Sequence, residues 1–122
     1  MTNGHRPRIL IVEDDGPIRN LLVMALFDEG FETAQAANGL DALDLMEQAT
    51  PDLIVLDLAM PVMDGRTFYH HMRENGVREI PVIIVSAVGA KRAQCELGAE
   101  AAFDKPFDID DIVAEVWRLV RA

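Results

Sequence analysis

The sequence contains a single cysteine, Cys95, among its 122 residues. One thiol cannot form an internal disulfide, and it cannot supply the sulfur ligands of a cysteine-rich zinc site. Scarce cysteine is also typical of proteins that work in a reducing compartment. We therefore expect a chain that folds without covalent cross-links.

Long apolar runs are absent as well. No stretch approaches the ~18–20 consecutive apolar residues that a membrane-spanning helix requires. Residues 1–8 also lack the apolar segment of a secretory signal. These two absences predict a soluble, cytoplasmic protein that does not bind membranes.

Basic residues are outnumbered. The chain has 11 Lys and Arg against 21 Asp and Glu, which gives a formal net charge of −10. Such a charge disfavours direct binding of this domain to nucleic acid or to anionic lipid. The excess of carboxylates must instead be solvated or serve a local purpose.

Apolar residues are plentiful: they make up 50% of the chain, enough for one well-packed core at this length. We expect a single domain over residues 1–122, with residues 1–7 as a frayed N-terminal segment. Apolar runs alternate with amphipathic stretches, which indicates repeated βα units around a parallel sheet. The predicted strands cover residues 8–13, 31–36, 52–57, 80–86 and 101–104.

Helices are predicted between these strands. The first begins near Pro17 and the fifth is capped by Asp108, while the third ends near Asn75-Gly76 and the fourth covers roughly residues 90–97. The residues predicted to face the core in the first two helices are Ile18, Leu21, Leu22, Ala25 and Leu26, then Leu40, Leu43 and Met46.

Polar side chains follow four of the predicted strands. Asp57 ends a fully apolar run, and two acids, Glu13 and Asp14, end another. Ser86 and Lys105 follow the last two strands. Since the carboxyl ends of strands in a doubly wound sheet share one edge, these groups would surround one pocket. Carboxylates clustered in this way need a cation.

Taken in order, these residues resemble the receiver domain of two-component response regulators over nearly the whole chain. The residues that carry the resemblance are Glu13-Asp14-Asp15, Asp57 with Met60-Pro61 and Asp64-Gly65, Ser86-Ala87, Gly98-Ala99 and Lys105-Pro106-Phe107. The resemblance implies a flavodoxin-like five-stranded parallel sheet of order 2-1-3-4-5. It also implies a phosphorylation-dependent switch that accepts a phosphoryl group from a histidine kinase or phosphotransfer protein and then changes its binding to an output protein.

The resemblance assigns roles to individual residues. Asp57 is the phosphoacceptor, and Mg²⁺ is the expected cofactor, bound by Asp14, Asp57 and the backbone carbonyl of Ala59, with Glu13 acting through water. Ser86 and Lys105 contact the phosphoryl group. Pro106 resembles the family's cis-proline. The resemblance also implies that the domain catalyses its own phosphorylation and slow dephosphorylation and is not a conventional turnover enzyme.

The register of the acidic pair leaves two possibilities. Ile18-Arg19 matches the family's helix-starting pair, which favours Glu13 and Asp14 as the acidic pair and leaves Asp15 as a helix cap. The alternative pair is Asp14 and Asp15. Asp14 belongs to the site in both cases.

Three features depart from the family's pattern. Ala102 occupies the usual place of an aromatic switch residue, and Phe103 points to the opposite face of its strand. Only 19 positions separate Ser86 from Lys105, which predicts a shortened fourth helix. Ala59 and Val88, at positions that tune dephosphorylation, cannot orient a water molecule, so a long-lived phosphoryl group is expected.

Competing functions remain. A haloacid-dehalogenase-like phosphatase needs a second acid where Ala59 stands. An FMN-binding flavodoxin needs a phosphate loop where the acids of residues 13–15 would repel phosphate. A receiver-like interaction scaffold, without conventional phosphorylation-dependent output, is the main alternative because of Ala102 and the short fourth helix. The sequence leaves open whether the receiver works alone or as part of a longer protein.

Overall fold

Strands and helices alternate through residues 6–75 and 79–121, the parts of the chain that the computed structural model describes. The five strands are β1 (Arg8–Val12), β2 (Glu32–Ala36), β3 (Leu53–Asp57), β4 (Val82–Ser86) and β5 (Ala101–Asp104). The five helices are α1 (Gly16–Asp28), α2 (Gly39–Gln48), α3 (Gly65–Glu74), α4 (Ala90–Leu97) and α5 (Ile109–Arg121). Most of the predicted frayed segment, residues 1–5, and Gly76 at the predicted end of the third helix lie outside the described residues.

All five strands are parallel and pair in the order β2-β1-β3-β4-β5. The predicted doubly wound sheet is therefore confirmed. The chain moves outward in one direction from β1 to β2 and then returns to place β3 on the other side of β1. Such a reversal opens a crevice at the carboxyl ends of β1 and β3, where open α/β sheets bind their ligands.

The composition of each strand matches its place in the sheet. Every residue of β3 and β4 is buried, as expected for central strands covered by helices on both faces. The edge strand β2 instead exposes Glu32 and Gln35. A polar strand is tolerated only at such an edge, where part of it faces water.

Alternate residues of the strands pack into two separate cores. One core lies beneath α2, α3 and α4 and contains Leu10, Ile54 and Ile84. The other lies beneath α1 and α5 and contains Ile11, Val55 and Ile83. The sheet therefore presents one apolar face to each helical layer, and its polar strand ends are left at the edges. None of the described helices has the length and apolar character needed to cross a membrane.

Local caps define the helices beside the crevice. The side chain of Asn38 accepts a hydrogen bond from the Asp41 amide at 2.8 Å and starts α2. Asp64 does the same for α3 through the Thr67 amide at 2.8 Å. Two glycines with positive φ, Gly89 and Gly98, flank α4. With 8 residues α4 is the shortest of the five helices, as the sequence predicted.

Two leucines predicted to be buried are not. Leu21 on α1 is 47% exposed and Leu40 on α2 is 48% exposed. The buried stripe of α1 is narrow, since only Leu22 and Leu26 are fully enclosed. Leu21 is rotated by ~100° from Leu22 and therefore faces away from the sheet. In α2 the small Ala42 takes the buried position instead.

Neighbouring leucines of α1 provide a direct test of this packing. Leu22→Ala should lower the free energy of unfolding by about 2–5 kcal/mol, because it leaves a cavity beneath α1. Leu21→Ala should lower it by less than ~1 kcal/mol, because the side chain is half exposed. Urea denaturation followed by circular dichroism measures both, and equal losses would contradict the observed rotation of α1.

Candidate functional site

Three carboxylates meet at the carboxyl ends of the two central strands β1 and β3. Val12 pairs with Leu56, so the residues that follow, Glu13 and Asp57, stand side by side. Oxygens of Glu13, Asp14 and Asp57 all lie within 4.8 Å of one another. Glu13 is completely buried and Asp57 is 2% exposed, whereas Asp14 faces solvent. The sheet thus brings together the three acids that the sequence predicted.

Glu13 is fixed by its neighbours. Its amide donates to the Ala36 carbonyl at 3.0 Å, and Arg19 Nη1 donates to the Glu13 carbonyl at 2.8 Å. The carboxylate accepts a hydrogen bond from the Asp15 amide at 3.2 Å. Asp15 itself lies outside the carboxylate cluster, at the residue before α1, and its side chain makes no capping hydrogen bond. Asp15 is thus the N-cap residue of α1, as predicted, but it caps the helix only through its backbone carbonyl, which accepts from the Arg19 amide at 2.8 Å.

Lys105 reaches the acids from the loop after β5. Its Nζ lies 2.8 Å from Glu13 Oε1 and 3.5 Å from Asp57 Oδ1. The Lys105 amide donates to the Ser86 carbonyl at 2.7 Å, and the peptide bond between Lys105 and Pro106 is cis. Burial lowers the pKa of Lys105, but contact with Glu13 and the charge of Asp57 outweigh it and raise the pKa overall. Lys105 is therefore a permanent cation.

One ammonium does not balance three carboxylates. Burial, followed by the charge of Glu13, raises the pKa of Asp57 from 3.8 to about 7, while Lys105 acts in the opposite direction. Although Glu13 Oε1 forms an ion pair with Lys105, it has no partner with hydrogen-bond geometry among the described residues. Oxygen ligands with excess negative charge fit a hard divalent cation such as Mg²⁺.

Ser86 ends β4, beside the acidic cluster. Asp57 pairs with Val85 in the neighbouring strand, and Ser86 follows directly. The Ser86 hydroxyl donates to the Val88 carbonyl at 2.9 Å. Ser86 and Asp14 line one cleft of about 590 Å³ together with Leu58, Ala59, Met60, Pro61, Asp64, Arg66 and Val88. Leu58, which directly follows Asp57, is one of these residues, so the cleft opens next to Asp57.

The loop from β3 to α3 is tightly constrained. A Cβ on Gly65 would lie 2.2 Å from the Asp57 carbonyl oxygen, so only glycine permits this close approach. Val62 has a φ of 69°, and the Met63 amide donates across it to Pro61 at 2.7 Å. A γ-turn with positive φ is rare and strained, above all at a β-branched residue. The loop that carries Ala59 thus holds a fixed shape.

The strand residues beside Lys105 lie as expected from the period of a strand. Ala102 packs against the core beneath α2, α3 and α4. Phe103 packs in the opposite core beneath α1 and α5. Of these two residues, the one on the face of β5 toward α2, α3 and α4 is therefore alanine, and the aromatic Phe103 lies on the other face.

Sequence reasoning missed one charged pair at the cleft. Arg66, in the first turn of α3, lines the cleft and forms an ion pair of 2.9 Å with Glu96 on α4. These residues are 30 positions apart. Neither belongs to a motif, so the sequence carried no signal for their proximity.

The sequence is similar to known proteins over most of its length. The family described as the response regulator receiver domain matches residues 9–117. Sporulation initiation phosphotransferase F of Bacillus subtilis is 46% identical over 86% of this chain and 86% of that protein. The phosphate regulon transcriptional regulatory protein PhoB of Escherichia coli is 35% identical over 93% of this chain. The chain spans only 52% of the length of that second relative.

Solved structures show the same fold. The Francisella response regulator 1452 receiver domain has a TM-score of 0.88 and 30% identity, over 95% of this chain and 98% of that one. A putative response regulator from Chloroflexus aurantiacus has a TM-score of 0.89 and 30% identity, over 97% and 100%. The predicted flavodoxin-like arrangement is confirmed by these likenesses.

The raised pKa of Asp57 predicts how stability depends on pH in a metal-free buffer. Because the pKa is higher in the folded state than in the unfolded chain, folding takes up a proton between about pH 4 and pH 7. This contribution to stability is complete below about pH 4 and is lost as the pH rises through about 7. The Asp57→Asn variant should not lose stability in this way, because its side chain cannot ionise.

The free energy of unfolding of Asp57→Asn relative to wild type should therefore increase by roughly 2 kcal/mol between pH 5 and pH 8 in EDTA, at ~1.4 kcal/mol per pKa unit. Urea denaturation at both pH values measures it. Asp44→Asn, an exposed site on α2, is the control and should track wild type. The same difference at both pH values would show that Asp57 ionises normally.

Proposed function

Because this chain belongs to the response regulator receiver domain family, we propose that it is a signalling switch phosphorylated on Asp57 by a histidine kinase or a phosphotransfer protein. The observation that carries the proposal is the position of Asp57, buried beside two carboxylates and one ammonium at the end of β3. Receiver domains act in two-component signalling. What is proposed for this chain is that Asp57 is the phosphorylated residue and that the groups around it promote the transfer.

In the proposed reaction a carboxylate oxygen of Asp57 attacks the phosphorus of a phosphohistidine. The new P–O bond forms as the P–N bond breaks, and the departing imidazole keeps the electron pair. Lys105 lies 3.5 Å from Asp57 Oδ1, from where its ammonium can pair with an incoming phosphoryl oxygen. Its partner Glu13 keeps it aimed at the site.

The acidic cluster supplies the ligands for Mg²⁺ in this proposal. Asp14, Asp57 and the backbone carbonyl of Ala59 would bind the ion directly, and Glu13 would act through water. When bound, the ion supplies the positive charge that offsets the charges of the phosphoryl oxygens. The excess negative charge of the cluster, for which Lys105 alone does not compensate, supports this assignment.

Ser86 is proposed to be the first residue that changes its hydrogen bond when Asp57 is phosphorylated. Its hydroxyl now donates to the Val88 carbonyl, and a phosphoryl group on Asp57 adds a charge of about −1.5 to −2 with three acceptor oxygens. Turning the hydroxyl toward that group breaks its bond to Val88. The loop between β4 and α4 is then released, and the surface that α4 presents to an output protein changes.

The output is proposed to be a protein contact in the cytoplasm. The net charge of −10 disfavours nucleic acid as a direct ligand of this domain. Because Ala102 replaces the aromatic switch residue, the signal must reach α4 by another route. The same Ala102, with the short α4, also favours the competing hypothesis of an interaction scaffold that needs no phosphorylation.

Phosphorylation by a small phosphodonor distinguishes the two functions. Incubated with acetyl phosphate and Mg²⁺, wild type should gain one phosphoryl group and Asp57→Asn none, because the amide is not a nucleophile. Intact mass spectrometry reports the gain. Asp52→Asn, an acid at the opposite end of β3, is a matched control and should be labelled like wild type. Unlabelled wild type would favour the scaffold, and equal labelling of Asp57→Asn would move the acceptor elsewhere.

The lifetime of the phosphoryl group follows from the side chains around it. Ala59 and Val88 both line the cleft and offer no group that can position an attacking water. We expect a half-life of minutes or longer with Mg²⁺. Ala59→Asn should shorten it severalfold by holding a water, while Ala59→Val should not. Decay of the intact-mass signal measures each half-life, and a wild-type half-life of seconds would contradict the expectation.

A further inference from the structure

We propose that Arg66 is a phosphoryl-binding residue that exchanges its ion pair with Glu96 for the phosphoryl group on Asp57. This inference rests on the proposed function. It begins from the position of Arg66 in the first turn of α3, where its side chain lines the same cleft as Asp14 and Ser86. Lys105 contacts Glu13 and Asp57 and is 17% exposed, whereas Arg66 lines the cleft and is 45% exposed.

The present partner of Arg66 is weakly held. Arg66 Nη1 lies 2.9 Å from Glu96 Oε1, and the side chain of Glu96 is 46% exposed. Ion pairs this exposed contribute ~0.2–1 kcal/mol or less. Glu96 also keeps a second cation, Arg92, whose Nε lies 3.3 Å from Glu96 Oε2. Releasing Arg66 therefore requires little free energy and leaves Glu96 paired.

A phosphoryl group is the stronger partner. It carries a charge of about −1.5 to −2, and the planar guanidinium can donate two parallel hydrogen bonds to its oxygens. The other acid of the cleft near Arg66, Asp64, is occupied in capping α3 through the Thr67 amide. The cleft that Arg66 lines begins at Leu58, the residue after Asp57, so a phosphoryl group on Asp57 would add a concentrated negative charge beside it.

The exchange would act on α4. Two polar contacts now restrain this helix on the side of the cleft: Ser86 to Val88 in the preceding loop, and Arg66 to Glu96 on the helix itself. Both donors would turn to the same phosphoryl group. Phosphorylation would then loosen α4 at two points at once, which supplies a route to the output surface that does not need an aromatic residue at position 102.

Beryllium trifluoride, a phosphoryl mimic that attaches to the acceptor carboxylate, tests the exchange in the full chain with Mg²⁺. Arg66→Gln should weaken its apparent affinity about tenfold, because charge-assisted hydrogen bonds are lost. Glu96→Gln should strengthen it about two- to fivefold, because it removes the competitor. Arg92→Gln is the matched control: Arg92 also pairs with Glu96 but lies outside the cleft, so its affinity should match wild type. Calorimetry measures all four proteins.

Hydrogen exchange of residues 90–97 supplies a second readout. The mimic should speed exchange in α4 of wild type and have little effect in Arg66→Gln, while Glu96→Gln should exchange faster before the mimic is added. If wild type binds the mimic and Arg66→Gln binds equally well with the same change in α4, the role of Arg66 is overturned and the proposed function stands. If wild type takes up neither the mimic nor a phosphoryl group from acetyl phosphate, the proposed function itself fails.

Discussion

Like charges are crowded at the carboxyl edge of the sheet, and this crowding determines what the site can bind. Glu13 and Asp57 are buried side by side with Asp14 nearby, and Lys105 neutralises only part of their charge. Burying carboxylates together is unfavourable unless a cation or a proton compensates them. The pKa of Asp57 is raised because its carboxylate is buried and lies beside the charge of Glu13. In the proposed function a divalent ion relieves this repulsion and allows a phosphoryl group to bind.

The surrounding fold can be understood as the support of this cluster. Apolar β3 and β4 fill the centre of the sheet, so the polar ends of these strands have a rigid base. The close approach of Gly65 to Asp57 and the γ-turn at Val62 hold the next loop against the site. Ser86 and Arg66 make contacts that a phosphoryl group would take over in the proposed mechanism.

The sequence predicted the parts of the molecule that follow from local pattern. Continuous apolar runs identified the central strands, and the polar residues that end them, such as Asp57 and Ser86, identified the site edge. The sequence could not predict which of two adjacent leucines in α1 faces the sheet. Leu21 and Leu22 have the same side chain, and only the rotation of the helix about its axis buries one of them. The ion pair of Arg66 with Glu96 could not be predicted from the sequence either, since that contact depends on how α3 and α4 lie beside each other.

Uptake of Mg²⁺ by the purified protein is the direct test of the proposed carboxylate site. Isothermal calorimetry at neutral pH should show one ion bound per wild-type chain, and binding should be lost or strongly weakened in Asp57→Asn and in Asp14→Asn, because each removes a direct ligand. Asp44→Asn should bind like wild type. Absence of Mg²⁺ binding by wild type, or unchanged binding by both site variants, would show that the three carboxylates do not form a Mg²⁺ site.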